Sequence, residues 1–452
     1  IDGRNWFPNS VSQLYWQFFV PVVKFKVLLD KYIDGEISFS KITSVSDKAS
    51  RFKILILIIS GNKEKKKYSV AKNLYNKIIN LRNLLIVRKK GDVMIYKYLV
   101  DDFRLKDLVE DLSKDLSILT ISWVSKKNFL KYIFNRDVFF YTYPATLYED
   151  NISIVNNPSI YFNLALRFAQ STITSQIISK KNIQKTFKKL DYKLFLGLDD
   201  ANVVYPLIYA ANDIGLRTVG IQHGAYSRRH EAYFMNFVDK YDWFDNVIVW
   251  GKYWQDIILN NSKLFPKDFH LIGSKKLPFD LVENKTKNNK TILIPYEFLS
   301  DTIKVGSYIK KLMDLDFEIY FKIRPDKNTN VQIQTLNLGE YASKLHIVEE
   351  ITPSLMKKID IVAGSMSTLI FDLLSFNKPT WIFTDVFKFL DDMVENNLAR
   401  RISDKDMLDI ENIYIQDMKN TSKIELSYLF DKVSIGDTIR SIIPCNDSRF
   451  SK

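Results

Sequence analysis

The sequence predicts an α/β protein of two domains, each with a mainly parallel sheet. Apolar runs of four to eight residues alternate with longer stretches of helical period, as repeated strand–helix units require. One polar, charged interruption, Glu283-Asn-Lys-Thr-Lys-Asn-Asn-Lys290, divides two such series. Many of the apolar runs also end in a short polar turn, where open α/β sheets hold their ligands.

The first series begins with a strand at Phe52 to Ile59, ended by Ser60-Gly61-Asn62. A helix is expected over Ser69 to Leu81, then strands at Leu84 to Val87, Ile118 to Val124 and Val138 to Tyr141. Apolar positions recurring at three and four residues make Tyr161 to Lys180 a long helix. Lys193 to Leu198 reads as a strand that stops at Asp199-Asp200, followed by a helix to about Asp213 with Gly215 beyond it. Further strands are Thr218 to Gln222, Val247 to Trp250 and Phe269 to Ile272. After the linker come Thr291 to Pro295, Glu318 to Ile323, Leu345 to Val348, a strand opening at Asp360, and Thr380 to Phe383. The last fifty residues read as mostly helical. The expected units are therefore residues 1–282, 291–430 and a terminal segment 431–452 that packs back on the first domain, with one cleft between the two domains.

Composition narrows the function classes. The chain has 452 residues, enough for two cores, and 46% hydrophobic residues make it globular. Its single cysteine, Cys445, excludes an intrachain disulfide and fits a reducing compartment. The four histidines and one cysteine show no metal-ligand spacing, and no Asp-x-Asp pair closes a strand, so no metal is expected. A Walker lysine loop and a Gly-x-Gly-x-x-Gly fingerprint are both absent, which disfavours P-loop kinases and dehydrogenases. A net charge of +13 implies an anionic partner: a membrane surface, a glycan or, least favoured for want of any recognition motif, nucleic acid. Leu14 to Leu29 is interrupted by Pro21, Lys24 and Lys26 and is too short to span a bilayer. Its aromatic residues suit an interfacial helix or a buried one. A cytoplasmic protein, peripheral to the inner face of the membrane, is the expected setting.

The segment with most chemical content is Asp360-Ile-Val-Ala-Gly-Ser-Met-Ser-Thr-Leu-Ile-Phe-Asp372. Gly364 permits a tight turn after a strand, and Ser365, Ser367 and Thr368 arrive where a helix begins. Free N–H groups and the positive end of the helix dipole favour an anion there. Asp372, four residues after Thr368, lies on the same helical face and suits ribose hydroxyls. The competing reading is an ordinary helix cap by Ser or Thr. Arg324, directly after a strand, suits a diphosphate or nucleotide phosphate, or else an interdomain salt bridge. Glu297 suits a sugar hydroxyl or the cap of the helix near Thr302. In the first domain, His223 in Gln222-His-Gly224 can transfer a proton or bond a phosphate. Arg228 and Arg229 follow it as candidate acceptor or phosphate ligands. Asp199 and Asp200 are candidates for the general base, with an N-cap as the alternative role of Asp200.

Six short segments in a fixed order carry a family likeness: Gly220-Ile-Gln-His-Gly224, Val247-Ile-Val-Trp-Gly251, Ile272-Gly-Ser274 to Phe279-Asp280, Ile292-Leu-Ile-Pro295, Lys322-Ile-Arg-Pro325, and Gly364-Ser-Met-Ser-Thr368 to Pro379. Spanning roughly 190 to 385, they resemble the GT-B glycosyltransferases of bacterial capsule and lipopolysaccharide synthesis and the related teichoic-acid glycerophosphotransferases. The resemblance implies two Rossmann-like domains facing a cleft, with a nucleotide-sugar as co-substrate and no separate cofactor. It implies His223 near the reaction centre or donor phosphate, Arg324 near the donor, and Ser365, Ser367 and Thr368 on the donor phosphates. The acceptor would be a glycan or a lipid-linked glycan. Relatives with this pattern use CMP-linked acidic sugars such as Kdo or sialic acid, or CDP-glycerol; the residues themselves choose neither. Two positions depart from the pattern: Arg324 stands where many relatives have histidine, and Asn377 where glycine is common.

Overall fold

The structure, a computed structural model, describes residues 65–98, 100–124, 126–141, 160–199, 201–227, 243–261, 269–275, 289–297, 300–324, 329–383, 390–419 and 425–443. The expected strand at 52–59, the interfacial segment at 14–29, Asp200, Arg228, Arg229 and most of the linker lie outside these residues.

Among the described residues, seven strands form the first sheet: β1 (Val93–Lys97), β2 (Ile118–Trp123), β3 (Val138–Tyr141), β4 (Leu194–Leu198), β5 (Arg217–Ile221), β6 (Asn246–Val249) and β7 (His270–Ile272). Six form the second: β8 (Thr291–Pro295), β9 (Glu318–Lys322), β10 (His346–Val348), β11 (Ile361–Gly364), β12 (Thr380–Phe383) and β13 (Arg400–Ile402). Their orders are β3-β2-β1-β4-β5-β6-β7 and β10-β9-β8-β11-β12-β13, and every named pair is parallel. Each sheet thus starts in its middle, winds outward one way, and then reverses. That is the Rossmann order, and two such domains make the GT-B fold. Parallel strands covered on both faces are apolar throughout, which is why β3, β4, β8, β11 and β12 are buried at every position.

One expectation fails for an identifiable reason. Leu84 to Val87 is not a strand; it falls at the end of a helix, Lys65–Ile86, and the first strand among the described residues is Val93–Lys97. Side chains of the helix hold the edge of the sheet. The Asn83 amide donates to the Phe140 carbonyl at 2.8 Å and its oxygen accepts the Phe140 N–H at 3.1 Å. Arg82 donates to the carbonyls of Ile133 at 2.7 Å and Tyr132 at 2.8 Å. Asn83 thereby replaces a neighbouring strand beside β3, and helix wins over the apolar run. β13, short and half-polar, lies just before the last fifty residues, outside every segment read as a strand.

Residues 429–440 contact the first domain. The Ser274 N–H donates to the Val433 carbonyl at 2.7 Å, and the Ile435 N–H donates to the Ser274 carbonyl at 3.1 Å. Trp254 Nε1 donates to the Leu429 carbonyl at 2.9 Å. Arg440, on the helix Ile435–Ile442, pairs with Asp111 at 2.9 Å and Asp115 at 2.8 Å. The hydrophobic core runs through this junction and joins both domains: Phe371 of the second packs on Trp254 of the first with ring centroids 4.7 Å apart.

Candidate functional site

In a doubly wound sheet the strand order reverses at one point, and the helices that follow the two central strands leave on opposite faces. The crevice beyond those carboxyl ends is the ligand site. In the first sheet the reversal falls between β1 and β4, and the residue after β4 is Asp199. In the second it falls between β8 and β11, followed by Tyr296-Glu297 and by Ser365. The strand orders therefore place three of the sequence candidates at the two switch points.

Asp199 holds His223. One carboxylate oxygen accepts the His223 backbone N–H at 3.0 Å and lies 2.5 Å from Nδ1 of the same residue, while the other accepts the Tyr226 hydroxyl. The Asp199 side chain has no exposed surface, whereas that of His223 is 26% exposed. A carboxylate so enclosed cannot meet an acceptor hydroxyl, so Asp199 is not placed as the general base. The loop carrying His223 is fixed from inside: Gln222 Nε2 donates to the Gly224 carbonyl at 2.8 Å, and its Oε1 accepts the Trp250 N–H at 2.9 Å.

The turn after β11 meets this loop. The Ala225 N–H donates to Thr368 Oγ1 at 3.3 Å. Thr368 already has helical backbone angles and makes no side-chain cap to its own helix, Leu369–Leu373, so the capping reading of this residue fails. The helix is only five residues long, which leaves the hydroxyls and turn amides, rather than a long dipole, as the polar content of the turn. Ser367 and Thr368 are half-buried, while Ser365 is buried. A small cavity lined by Pro295, Tyr296, Glu297, Ser300, Gly364 and Ser365 lies at the switch point.

Glu297 and Arg324 meet each other, with Arg324 Nη1 donating to Glu297 Oε2 at 3.0 Å. The salt bridge is within the second domain. Asp301, not Glu297, caps the helix Thr302–Asp314, accepting the Lys304 N–H at 3.0 Å. Gln332, missed in the sequence, clamps the backbone of Arg324: its Oε1 accepts the Arg324 N–H at 2.8 Å and its Nε2 donates to the Arg324 carbonyl at 3.0 Å. Nothing in a sequence pattern distinguishes this glutamine from a surface one.

Asp372 is not presented to a nucleotide. Its carboxylate pairs with Lys275 of the first domain at 2.5 Å, and both side chains are mostly buried. Burial pushes the Asp372 carboxyl above the usual range, and Lys275 works against this. The Lys275 ammonium also lies 3.9 Å from the Trp250 ring centroid, a cation–π contact. Asn377 adopts a left-handed backbone with φ +51°, the conformation glycine usually supplies at a helix end; Asn tolerates it, so the substitution preserves the turn.

No family model matches the chain, and no curated protein matches it. Among solved structures it is similar to the glycotransferase of kitacinnamycin, at 11% identity over 78% of this chain and 98% of that one, with a TM-score of 0.49. It is similar to CalG4, the calicheamicin glycosyltransferase, at 10% identity over 74% and 92%, TM-score 0.49. It is also similar to the UDP-GlcNAc 2-epimerase of Methanocaldococcus jannaschii solved with UDP-GlcNAc and UDP, at 12% identity over 78% and 99%, TM-score 0.48. The fold assignment rests on the two strand orders.

Proposed function

We propose that this chain is a glycosyltransferase that moves a sugar from a nucleotide-activated donor to an acceptor hydroxyl on a bacterial surface polysaccharide or lipopolysaccharide. The observation that carries it is the contact between Ala225 and Thr368, which sets the His223–Asp199 pair of one switch point beside the hydroxyl turn of the other.

Asp199 is the positioning residue. With its carboxylate at Nδ1, it favours the tautomer with a proton on Nδ1, leaving Nε2 as the basic nitrogen. His223 then takes the proton of the acceptor hydroxyl as that oxygen bonds to the anomeric carbon. The bond to the nucleotide phosphate breaks, and the leaving phosphate keeps its electron pair. Ser365, Ser367, Thr368 and the turn amides supply donors to that phosphate, with Arg324 as the nearby cation. Arg324 must exchange part of its pairing with Glu297 to do so. The donor favoured is a CMP-linked acidic sugar. CDP-glycerol presents the same phosphate chemistry to the same residues.

Among the described residues no helix is long and apolar enough to cross a membrane. Attachment at the inner face is proposed from the net charge of +13.

A panel of CMP, CDP, UDP, GDP and ADP tests the reading by thermal shift. A cytidine or uridine nucleotide is expected to raise the Tm, and Ser367→Ala with Thr368→Ala to weaken that shift. No shift across the panel overturns it. Incubation with CMP-sialic acid, CMP-Kdo or CDP-glycerol and a glycan acceptor then identifies the donor by the mass added.

A further inference from the structure

The helix Lys65–Ile86 turns one face to the sheet and leaves an apolar stripe outside. Inward go Ile79, Arg82 and Asn83, the last two holding the segment around β3. Ile78, Leu81 and Leu85, three and four residues apart, share one side of the helix and are exposed, Leu85 by 74%. The short helix Lys126–Tyr132 packs beside it, with the Tyr75 and Phe129 ring centroids 5.7 Å apart. That helix exposes Leu130, also by 74%, and the turn after it exposes Phe134 by 82%. Arg82, next to Leu81 in the chain, donates to the carbonyls of Tyr132 and Ile133, so this turn adjoins the stripe. Scattered exposed leucines are ordinary; a group of large apolar side chains on two touching elements marks a contact surface.

Charge says what the surface meets. Residues 65–90 hold nine lysines and arginines and residues 126–136 hold four, with no aspartate or glutamate in either stretch. Asp137, Asp101 and Asp191 pair with Arg88, Lys131 and Lys90, which leaves a large positive excess. A second copy of the chain would bring the same charge and be repelled. Nucleic acid answers the charge but gives the leucines no apolar medium. An anionic bilayer answers both, with headgroups for the cations and an acyl boundary for the apolar side chains.

We propose that this edge of the first domain docks on an anionic membrane, with Ile78, Leu81, Leu85, Leu130 and Phe134 entering the acyl boundary and Lys77 and Arg136 against the lipid phosphates. The inference rests on the membrane attachment proposed above and names its surface. The strand order β3-β2-β1-β4 sets β3 three strand spacings, about 14 Å, from β4. The docked edge is therefore separate from the crevice beyond β4.

Co-sedimentation of the full chain with phosphatidylcholine vesicles, with and without phosphatidylglycerol, tests this. The wild type is expected to partition at least about tenfold better onto the anionic vesicles, and less well as salt rises. Leu85→Ser with Phe134→Ser should lower that partitioning about tenfold or more, and Lys77→Gln with Arg136→Gln by about the same factor. All four side chains are exposed, so the Tm and its nucleotide shift are expected to match the wild type in both variants. Full vesicle binding by the serine variant overturns the surface, because general attraction of a basic chain then suffices. A lower Tm in that variant assigns these residues to the fold and overturns it too. A dimer in solution that the serine variant abolishes, with no vesicle binding, gives the face to a second copy instead. If the wild type ignores anionic vesicles, the attachment itself falls; if wild type and both variants bind equally, only this surface falls. The nucleotide panel decides the transferase reading independently of either result.

Discussion

The Asp199 carboxylate accepts the backbone N–H of His223 at 3.0 Å and touches its Nδ1 at 2.5 Å, so one buried residue fixes both the main chain and the ring of another. The two are adjacent because β4 and β5 pair in register from Leu194–Arg217 to Leu198–Ile221, which brings the residues that follow each strand together. Tyr226 completes the cage from the other oxygen.

In the proposed transfer, Asp199→Asn removes the charge that selects the His223 tautomer and would stabilise its imidazolium. Transfer is expected to fall about 10²–10⁴-fold, with the nucleotide-induced thermal shift unchanged. Steady-state rates measured beside nucleotide binding check this. Equal loss of both would make Asp199 a folding residue only.

The Lys275–Asp372 pair ties the two domains through a mostly buried contact. Lys275→Met leaves Asp372 without its cation and is expected to cost about 3–5 kcal/mol, less to the extent that Asp372 takes up a proton. Lys275→Met combined with Asp372→Leu should recover much of that. Urea unfolding of the single and double variants gives the comparison, and strict additivity would show that the pair does not act as one.

His270, in β7, is buried, and burial pulls its pKa down from 6.5 to about 4. The folded state therefore binds fewer protons than the unfolded one. Stability from this group is full above pH 6.5 and is lost as pH falls through 4. The slope is about 1.4 kcal/mol per pH unit, giving about 2 kcal/mol between pH 6.5 and 5, before most carboxylates titrate. Denaturant titrations at these pH values should show the slope in the wild type and a flatter curve in His270→Phe.

Gly306 lies in the helix Thr302–Asp314, and a Cβ there would sit 1.9 Å from the Leu336 carbonyl oxygen. The obstacle is backbone, so the helix must move away. Gly306→Ala is expected to cost about 1–3 kcal/mol or more despite its better helix propensity, read as a lower midpoint in urea.

Much of the α/β layering was legible because parallel strands buried on both faces must be continuous apolar runs, and β4, β8 and β12 are such runs. Where that rule met exceptions the reading failed. Leu84 to Val87 has the composition of a strand, but Arg82 and Asn83 bind the edge of β3 only when they project from a helix. The departure at Asn377 proved harmless for a local reason, its tolerance of a left-handed backbone.

The sequence by itself determined which residues close the strands: Asp199, His223, Glu297, Arg324 and the Gly364–Thr368 turn all follow directly from where the apolar runs stop. Which of them meet was decided by the tertiary structure alone. Pairing of β4 with β5 took Asp199 from candidate base to the buried partner of His223, and domain packing turned Asp372 from a ribose ligand into the partner of Lys275. The physical reason is that hydrophobic periodicity is written locally in a chain, whereas the burial and pairing of a charge depend on neighbours some 25 to 100 residues away that only strand order and domain contact supply.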